Sequence, residues 1–373
     1  MELIPATILT GFLGAGKTTL LQRVLTEAHG QKIAVIENEF GEESIDNELL
    51  VSETNEQIVQ LNNGCVCCTI REDLRSALSM LADKRRKGEL DFERVVIETT
   101  GVADPGPVAQ TFFMDEDVAE NYMLDSIITI VDAKHGHQTL NDRVEAQQQV
   151  GFADVIFISK ADLVSEGELA DLQHRLRRMN PRAAQRIVHF GEVPIAQVFD
   201  LRGFNLSAKL EIDPDFLREE EHGHEEHGCC GHDHGEHEHH HAHDGHHEEG
   251  HCCGHDHAHH DGCCCGGHHH HHHHDDDVKS FVFRSTRPFS AEKLEGFLGD
   301  VIQIYGPKML RYKGVLNMQG TDRKVIFQGV HQMMGSDLGP KWAQGEEKES
   351  RLVFIGIDLP KDIFMQGLEQ CLA

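Results

Sequence analysis

Three sets of residues in this 373-residue chain have the types and spacing to do chemistry. The first is Gly11-Phe12-Leu13-Gly14-Ala15-Gly16-Lys17-Thr18, which fits G-x-x-x-x-G-K-[ST] and directly follows the apolar run Leu3 to Thr10. In such a loop Gly11, Gly14, Ala15 and Gly16 let backbone N–H groups curl around a β-phosphate. Lys17 can reach between the β- and γ-phosphates, and Thr18 offers a hydroxyl to Mg²⁺, with Thr19 behind it in the first helical turn. The helix that follows points its positive end at the same phosphates. A nucleoside triphosphate is therefore the expected ligand. The second set, Ser159-Lys160-Ala161-Asp162, follows the strand-like run Asp154 to Ile158. The Asp162 carboxylate can accept two hydrogen bonds from guanine while the Lys160 stem packs along the base, which favours GTP over ATP. Ser159 stands where such a motif usually has Asn, and so removes one amide contact.

The third set is the triplet Cys65, Cys67 and Cys68 at the end of the run Gln57 to Leu61. Three thiolates within four residues repel one another unless a cation offsets the charge. Zn²⁺ takes a tetrahedral set of S, N or O ligands, whereas Mg²⁺ and Ca²⁺ prefer oxygen, so zinc suits the triplet. Adjacent Cys67 and Cys68 are sterically awkward joint ligands, so carboxylates are needed as partners. Glu37 and Glu42, in the loop after the strand Lys32 to Ile36, are the best candidates.

These segments, with Glu98-Thr99-Thr100-Gly101 after the strand Arg94 to Ile97, all leave strand ends on the phosphate-loop side. Together they resemble the CobW family of metallochaperone GTPases, strongly over Leu3 to Phe199 and moderately over Lys279 to Ala373. The resemblance implies Glu37 and Glu42 as metal partners, and it puts Glu98 where the family has a Walker-B-type acid that would hold Mg²⁺ through water. Hydrolysis would rest on Lys17, Thr18 and Glu98, with Glu39 or Glu37 helping to place the attacking water. Glu37 to Asp46 corresponds to a first switch segment and Thr99 to Pro105 to a second.

The elements that position these residues alternate strand and helix up to about Asp200, with helices expected at Lys17 to Ala28, Ile70 to Lys87, Leu140 to Val150 and Glu166 to Met179. Alternation of this kind predicts an α/β domain with a mainly parallel sheet, a P-loop GTPase architecture whose ligands gather at the carboxyl ends of the strands. Strand-like runs at Ser280 to Arg284, Met309 to Leu316, Val325 to Gly329 and Leu352 to Ile357 follow later. With helices at Ala291 to Leu298 and Ile363 to Leu372, they predict a smaller α+β C-terminal domain without a catalytic constellation, suited to interaction or regulation. The expected division is 1–205 for the GTPase domain, 206–278 for a linker and 279–373 for the C-terminal domain.

The linker is different in kind. From Glu219 to Asp277 it is almost entirely His, Gly, Glu, Asp and Cys, and it holds 24 of the 30 histidines and seven of the 11 cysteines. Without apolar periodicity it cannot form a core, so disorder in the absence of metal is expected. Interspersed imidazoles and thiols make it a metal-collecting reservoir for Zn²⁺, Ni²⁺ or Co²⁺. Its run His268 to His274 is internal, unlike a purification tag. His135, His137, His174, His189, His331 and Cys371 read as structural or surface residues.

The balance of 34 basic against 63 acidic side chains, a net charge of −29, argues against a nucleic-acid partner and for cationic ones. No stretch reaches the length needed to span a bilayer, and cytoplasm is the expected compartment. The favoured reading is a GTP-hydrolysing zinc chaperone that hands metal to a client apo-metalloprotein, with a homo-oligomer compatible with the sequence. Two others fit the same residues: a cobalt or nickel insertion chaperone, and a non-enzymatic zinc store tuned by nucleotide. The guanine reading makes a direct prediction. Asp162→Asn should weaken GTP binding by about 1 to 3 kcal/mol, the scale of a lost charge-assisted hydrogen bond. Calorimetry checks it, and equal affinity of the unmodified protein for GTP and ATP would contradict it.

Overall fold

The computed structural model describes residues 3–26, 32–37, 57–58, 70–201, 203–204 and 276–373. Glu39, Glu42, Cys65, Cys67 and Cys68 lie outside the described residues, as does the His/Cys-rich segment as far as residue 275.

A sheet of seven strands forms from β1 (Ile4–Gly11), β2 (Ile33–Glu37), β3 (Gln57–Ile58), β4 (Arg94–Glu98), β5 (Tyr122–Asp132), β6 (Val155–Ser159) and β7 (Ala184–Ile187). Its order is β3-β2-β4-β1-β5-β6-β7, and every pairing is parallel. The connections carry α1 (Lys17–Thr26), α2 (Ile70–Arg86), α3 (Gly106–Met114), α4 (Glu116–Asn121), α5 (Gly136–Asp142), α6 (Val144–Phe152) and α7 (Glu166–Met179). Strands β1, β5 and β6 are buried almost throughout, which is why they read as unbroken apolar runs rather than alternating ones. Successive strands lie on opposite sides of β1, so the carboxyl end of β1 is a switch point where a ligand crevice opens.

The α/β reading of this part holds, with local differences. The helix expected over Leu140 to Val150 is two helices, α5 and α6, parted at Arg143 (φ −138°, ψ 115°). Gln147 Nε2 donates to the carbonyl of Leu140 at 2.9 Å, satisfying an acceptor near the break. Helix α7 matches its expected span because Ser165 and Glu168 form a reciprocal capping box at its start.

The C-terminal part is a five-stranded antiparallel sheet made of β8 (Val278–Ser285), β9 (Met309–Asn317), β10 (Arg323–Val330), β11 (Met333–Lys341) and β12 (Ser350–Ile357), in the order β11-β10-β9-β12-β8. Helices α8 (Ala291–Tyr305) and α9 (Lys361–Gln370) accompany it. Strand β11 was not legible in the sequence, because its Gly335, Gly339 and Pro340 are tolerated only in an exposed edge strand. Helix α8 runs past Leu298 because Val301 continues the buried stripe begun by Leu294 and Leu298.

Strands β8 and β12 of this sheet are covered on both faces. Val282, Val353 and Ile355 join the core of the parallel-sheet domain, while the intervening Phe281, Phe283, Leu352 and Phe354 pack with Leu294, Leu298, Phe364 and Leu368. The alternation is the two-residue period of a strand, with both faces apolar.

Two buried ion pairs tie the parts together. Arg311 on β9 donates to both carboxylate oxygens of Asp154 (2.7 and 3.2 Å) and to the carbonyls of Phe152 and Gly203, and its guanidinium lies 3.6 Å from the ring centroid of Phe204. Arg175 on α7 grips Asp276, just before β8, through Nε (3.0 Å) and Nη2 (2.5 Å). Asp276 therefore belongs to the folded body although it continues the acidic end of the His-rich tract. Removing one member of a buried pair leaves an uncompensated charge. Asp276→Ala should cost about 3 to 5 kcal/mol of unfolding free energy. The neighbouring exposed Asp277→Ala should stay within about 0.5 kcal/mol. Denaturant titration of both variants distinguishes them.

Candidate nucleotide and metal site

The turn from β1 into α1 needs backbone conformations that favour glycine. Gly11, Gly14 and Gly16 have φ of 139°, 71° and 101°. Phe12 N–H donates to the carbonyl of Ile130 on β5 (3.0 Å) and Ala15 N–H to that of Phe12 (3.1 Å), so the loop is locked against the sheet before the helix begins. The Lys17 side chain folds back over this loop, its Nζ donating to the carbonyls of Gly11 (3.0 Å) and Phe12 (3.2 Å). Burial lowers the Lys17 pKa, and Glu98 opposes the shift. An ammonium held among carbonyls and positive-φ glycines is a ready electrostatic partner for a polyphosphate.

Thr18 Oγ donates to Glu98 Oε1 at 2.9 Å. A hydroxyl and a carboxylate this close, at the start of a helix and the end of a strand, form the oxygen pair that Mg²⁺ accepts, so the residues fit that ion. Glu98 is also the register partner of Leu9 on β1 and of Glu37 on β2.

The segment after Glu98 is fastened to the phosphate loop from several sides. Thr99 N–H donates to the carbonyl of Leu9 (2.9 Å), and the Thr99 hydroxyl donates to the Thr10 hydroxyl (2.8 Å). Gly101 lies so close to the loop that a Cβ there would stand 2.6 Å from Leu13 Cα. Gln149, buried on α6, donates through Nε2 to the carbonyl of Ala103 at 2.9 Å. Asp104 accepts from Gly106 N–H at 2.8 Å to start α3, and burial raises its pKa. A Cβ at Gly106 would meet His331 Nε2, from the turn between β10 and β11, at 2.6 Å. His331 in turn stands edge-on to Phe152, with ring centroids 5.3 Å apart. Gly106, directly after the segment expected to sense a γ-phosphate, therefore lies against the turn between β10 and β11.

At the carboxyl end of β6, Ser159 Oγ donates to the carbonyl of Ala15 at 2.7 Å. The hydroxyl thus ties the segment expected to read the base to the phosphate loop, a role that the sequence alone did not reveal for Ser159. Lys160 has a left-handed backbone (φ 57°), and its Nζ pairs with Asp132 at the end of β5 at 2.5 Å. His135 Nδ1 lies 3.0 Å from the same carboxylate. Burial tends to raise the Asp132 pKa, but the Lys160 and His135 hydrogen bonds outweigh it and hold the carboxyl below its usual range. Asp162 is exposed at the rim.

The structure thus brings Lys17, Thr18, Thr19, Glu98, Lys160 and Asp162 to one edge of the sheet. Of the expected zinc ligands, only Glu37 enters through its backbone, and Glu42, Cys65, Cys67 and Cys68 lie outside the described residues. Among the described residues no cluster of three His, Cys, Asp or Glu is arranged to hold a metal. Cys371 is buried, with its Sγ 3.4 Å from the carbonyl of Lys293, in keeping with a structural thiol. Asp132 and Gln149 were missed in the sequence because they belong to no motif, and only the folded chain brings them to the site.

Comparison with known proteins gives a consistent picture. The family model for the CobW/HypB/UreG nucleotide-binding domain matches residues 5–186, and that for the cobalamin synthesis protein cobW C-terminal domain matches residues 278–372. Over 364 residues the chain is 36% identical to the zinc chaperone YjiA of Escherichia coli, covering 97% of this chain and 96% of that protein. It is 32% identical over 402 residues to the zinc chaperone CobW of Pseudomonas aeruginosa, covering 99% of this chain and 92% of that one. The crystal structure of Zn(II)-bound YjiA GTPase from E. coli matches with a TM-score of 0.72 at 31% identity, with 100% of both chains covered.

A side chain at Gly101 would press on the backbone of Leu13 in the phosphate loop. Gly101→Ala should push the two apart, lowering nucleotide turnover by about tenfold, a barrier change of about 1.4 kcal/mol. Steady-state phosphate release measures this, with the melting temperature as the control for folding.

Proposed function

Because the chain belongs to the CobW family through both its nucleotide-binding and its C-terminal domain, we propose that it is a GTP-hydrolysing zinc chaperone. The observation that carries this is the register of β2 on β4, which sets Glu37 beside Glu98 at the ends of adjacent parallel strands. Neighbouring strands are about 4.8 Å apart. Glutamates at paired positions repel unless cations are near. One glutamate reaches the phosphate loop through Thr18, and the other opens the segment that leads to Glu42 and the cysteine triplet. A nucleotide site and a zinc site on adjacent strand ends can sense each other.

In this reading Lys17 and the loop N–H groups hold the β- and γ-phosphates. Thr18 and Glu98 hold Mg²⁺, which would neutralise charge on the phosphate oxygens. Gln149 holds the segment Thr99 to Pro105 in place, so the γ-phosphate meets a preset backbone rather than a floppy one. Asp162 accepts hydrogen bonds from guanine, Lys160 is fixed in orientation by Asp132, and Ser159 keeps the base and phosphate halves of the site in step. Zinc, the cargo, is bound by Cys65, Cys67 and Cys68 with Glu37 and Glu42. The His- and Cys-rich stretch within 206–278 collects metal for this site. A client apo-metalloprotein receives it when hydrolysis changes the loops that carry the ligands. That the similar proteins are zinc chaperones, one of them a Zn(II)-bound GTPase, supports both halves of the proposal.

If the two sites share a wall, zinc affinity must differ between nucleotide states by the same factor as nucleotide affinity differs with zinc, typically about 1 to 3 kcal/mol. Competition against a chromophoric chelator, on protein lacking the His-rich stretch, should show different zinc affinities with GDP and with a non-hydrolysable GTP analogue. Cys67→Ala should abolish the difference while nucleotide binding persists. Identical affinities in the two states would refute the coupling. Zinc-independent GTP turnover in the presence of client would favour the storage reading.

A further inference from the structure

Phe190 breaks the usual rules for a phenylalanine. It is 80% exposed, and it holds a left-handed backbone with φ of 48°, a region that residues other than glycine seldom occupy. Such an outlier persists only when its surroundings over-determine it.

They do so here. Val188, just after β7, donates its N–H to the carbonyl of Ile158 (2.9 Å), next to Ser159. Glu192 N–H closes the turn on the carbonyl of His189 at 2.8 Å. Gly191 (φ 75°) packs against α1 so closely that a Cβ there would lie 3.0 Å from Leu20 Cα and 3.1 Å from the carbonyl of Thr19. Arg23 on α1 donates Nε to the Phe190 carbonyl (3.4 Å) and Nη2 to Glu192 (2.6 Å). One side of the turn is thus stapled to the strand that ends in Ser159, and the other to the helix that begins at Lys17. Ser159, at the carboxyl end of β6, leads directly into Lys160 and Asp162.

We propose that Phe190 is a base-stacking residue, whose ring forms a wall of the nucleotide site with the Lys160 stem as another wall and Asp162 as reader of the base edge. This rests on Asp162 being the guanine reader. An aromatic face offers the same stacking to any purine, so Phe190 would supply affinity and Asp162 selectivity. A ring fixed by a rigid turn gives that affinity without an ordering cost on binding.

The test uses the full chain and four variants, Phe190→Ala, Phe190→Gly, Phe190→Trp and Asp162→Asn, titrated calorimetrically with GDP and ADP. Phe190→Ala and Phe190→Gly should weaken GDP about tenfold and leave the GDP-to-ADP preference unchanged, while Asp162→Asn erodes that preference. Phe190→Gly should also keep or raise the melting temperature, because glycine relieves the backbone strain. A purely structural role would lower it. The chain has a single tryptophan, Trp342, so Phe190→Trp adds a second emitter whose fluorescence should change on GDP binding. If Asp162→Asn weakens GDP but Phe190→Ala stays within twofold of the unmodified protein, and Phe190→Trp emission is unmoved by GDP, stacking is overturned. Exposure of Phe190 then points to docking of another protein. If Asp162→Asn leaves GDP affinity and preference unchanged, the guanine reading itself fails, whatever Phe190 does.

Discussion

Parallel pairing in register is the constraint on which this site depends. Strands β2, β4, β1 and β5 lie side by side with Glu37, Glu98, Leu9 and Ile128 in one row, and β1 continues into the phosphate loop only two residues beyond that row. In an antiparallel arrangement alternate strands would deliver their carboxyl ends to the opposite edge, and no short loops could bring Thr18, Glu98 and Glu37 together. Parallel strands need long crossovers, and the helices that supply them bury the sheet on both faces. Chemistry at one edge and apolar burial everywhere else are thus two results of a single pairing rule.

A second feature is how the segment after Glu98 is fastened. Its contacts come from three directions: Leu9 and Thr10 on β1, Leu13 in the phosphate loop, and Gln149 on α6. Only three residues beyond Gln149, Phe152 meets His331, and the carbonyl of Phe152 accepts from Arg311. One short helix therefore touches both the segment beside the phosphates and the C-terminal sheet. A displacement at either end must be absorbed within α6, where interiors are packed too tightly to yield gradually.

Much of this was legible in the sequence because motif residues have fixed local geometry. Gly11 to Thr18 predicts its own turn, and Ser165 with Glu168 predicts the start of α7. The break at Arg143 was hidden, since both α5 and α6 continue one apolar pattern. Strand β11 was hidden because its glycines and proline look like loop until a neighbouring strand is known to cover only one of its edges. Asp132 could not be assigned because its significance lies in the distance to Lys160, 28 residues away in the chain and 2.5 Å away in space. The hydroxyl of Ser159 was undervalued for a similar reason: sequence shows which amide is lost, and only the fold shows which carbonyl the replacement reaches.

The two ends of the His- and Cys-rich stretch are anchored before it begins and after it finishes. Phe204 is held through its N–H to the carbonyl of Asp125 and stacks under Arg311, and Asp276 is gripped by Arg175. Both points of attachment are thus fixed on the folded body. For loops in general, the entropy cost of closure grows only with the logarithm of length, about 0.6 kcal/mol for each doubling. The number of imidazoles and thiols grows in direct proportion to length. Lengthening the insert therefore multiplies imidazole and thiol groups with little loss of stability, while the edge of the parallel sheet that carries Lys17, Thr18 and Glu98 stays unchanged.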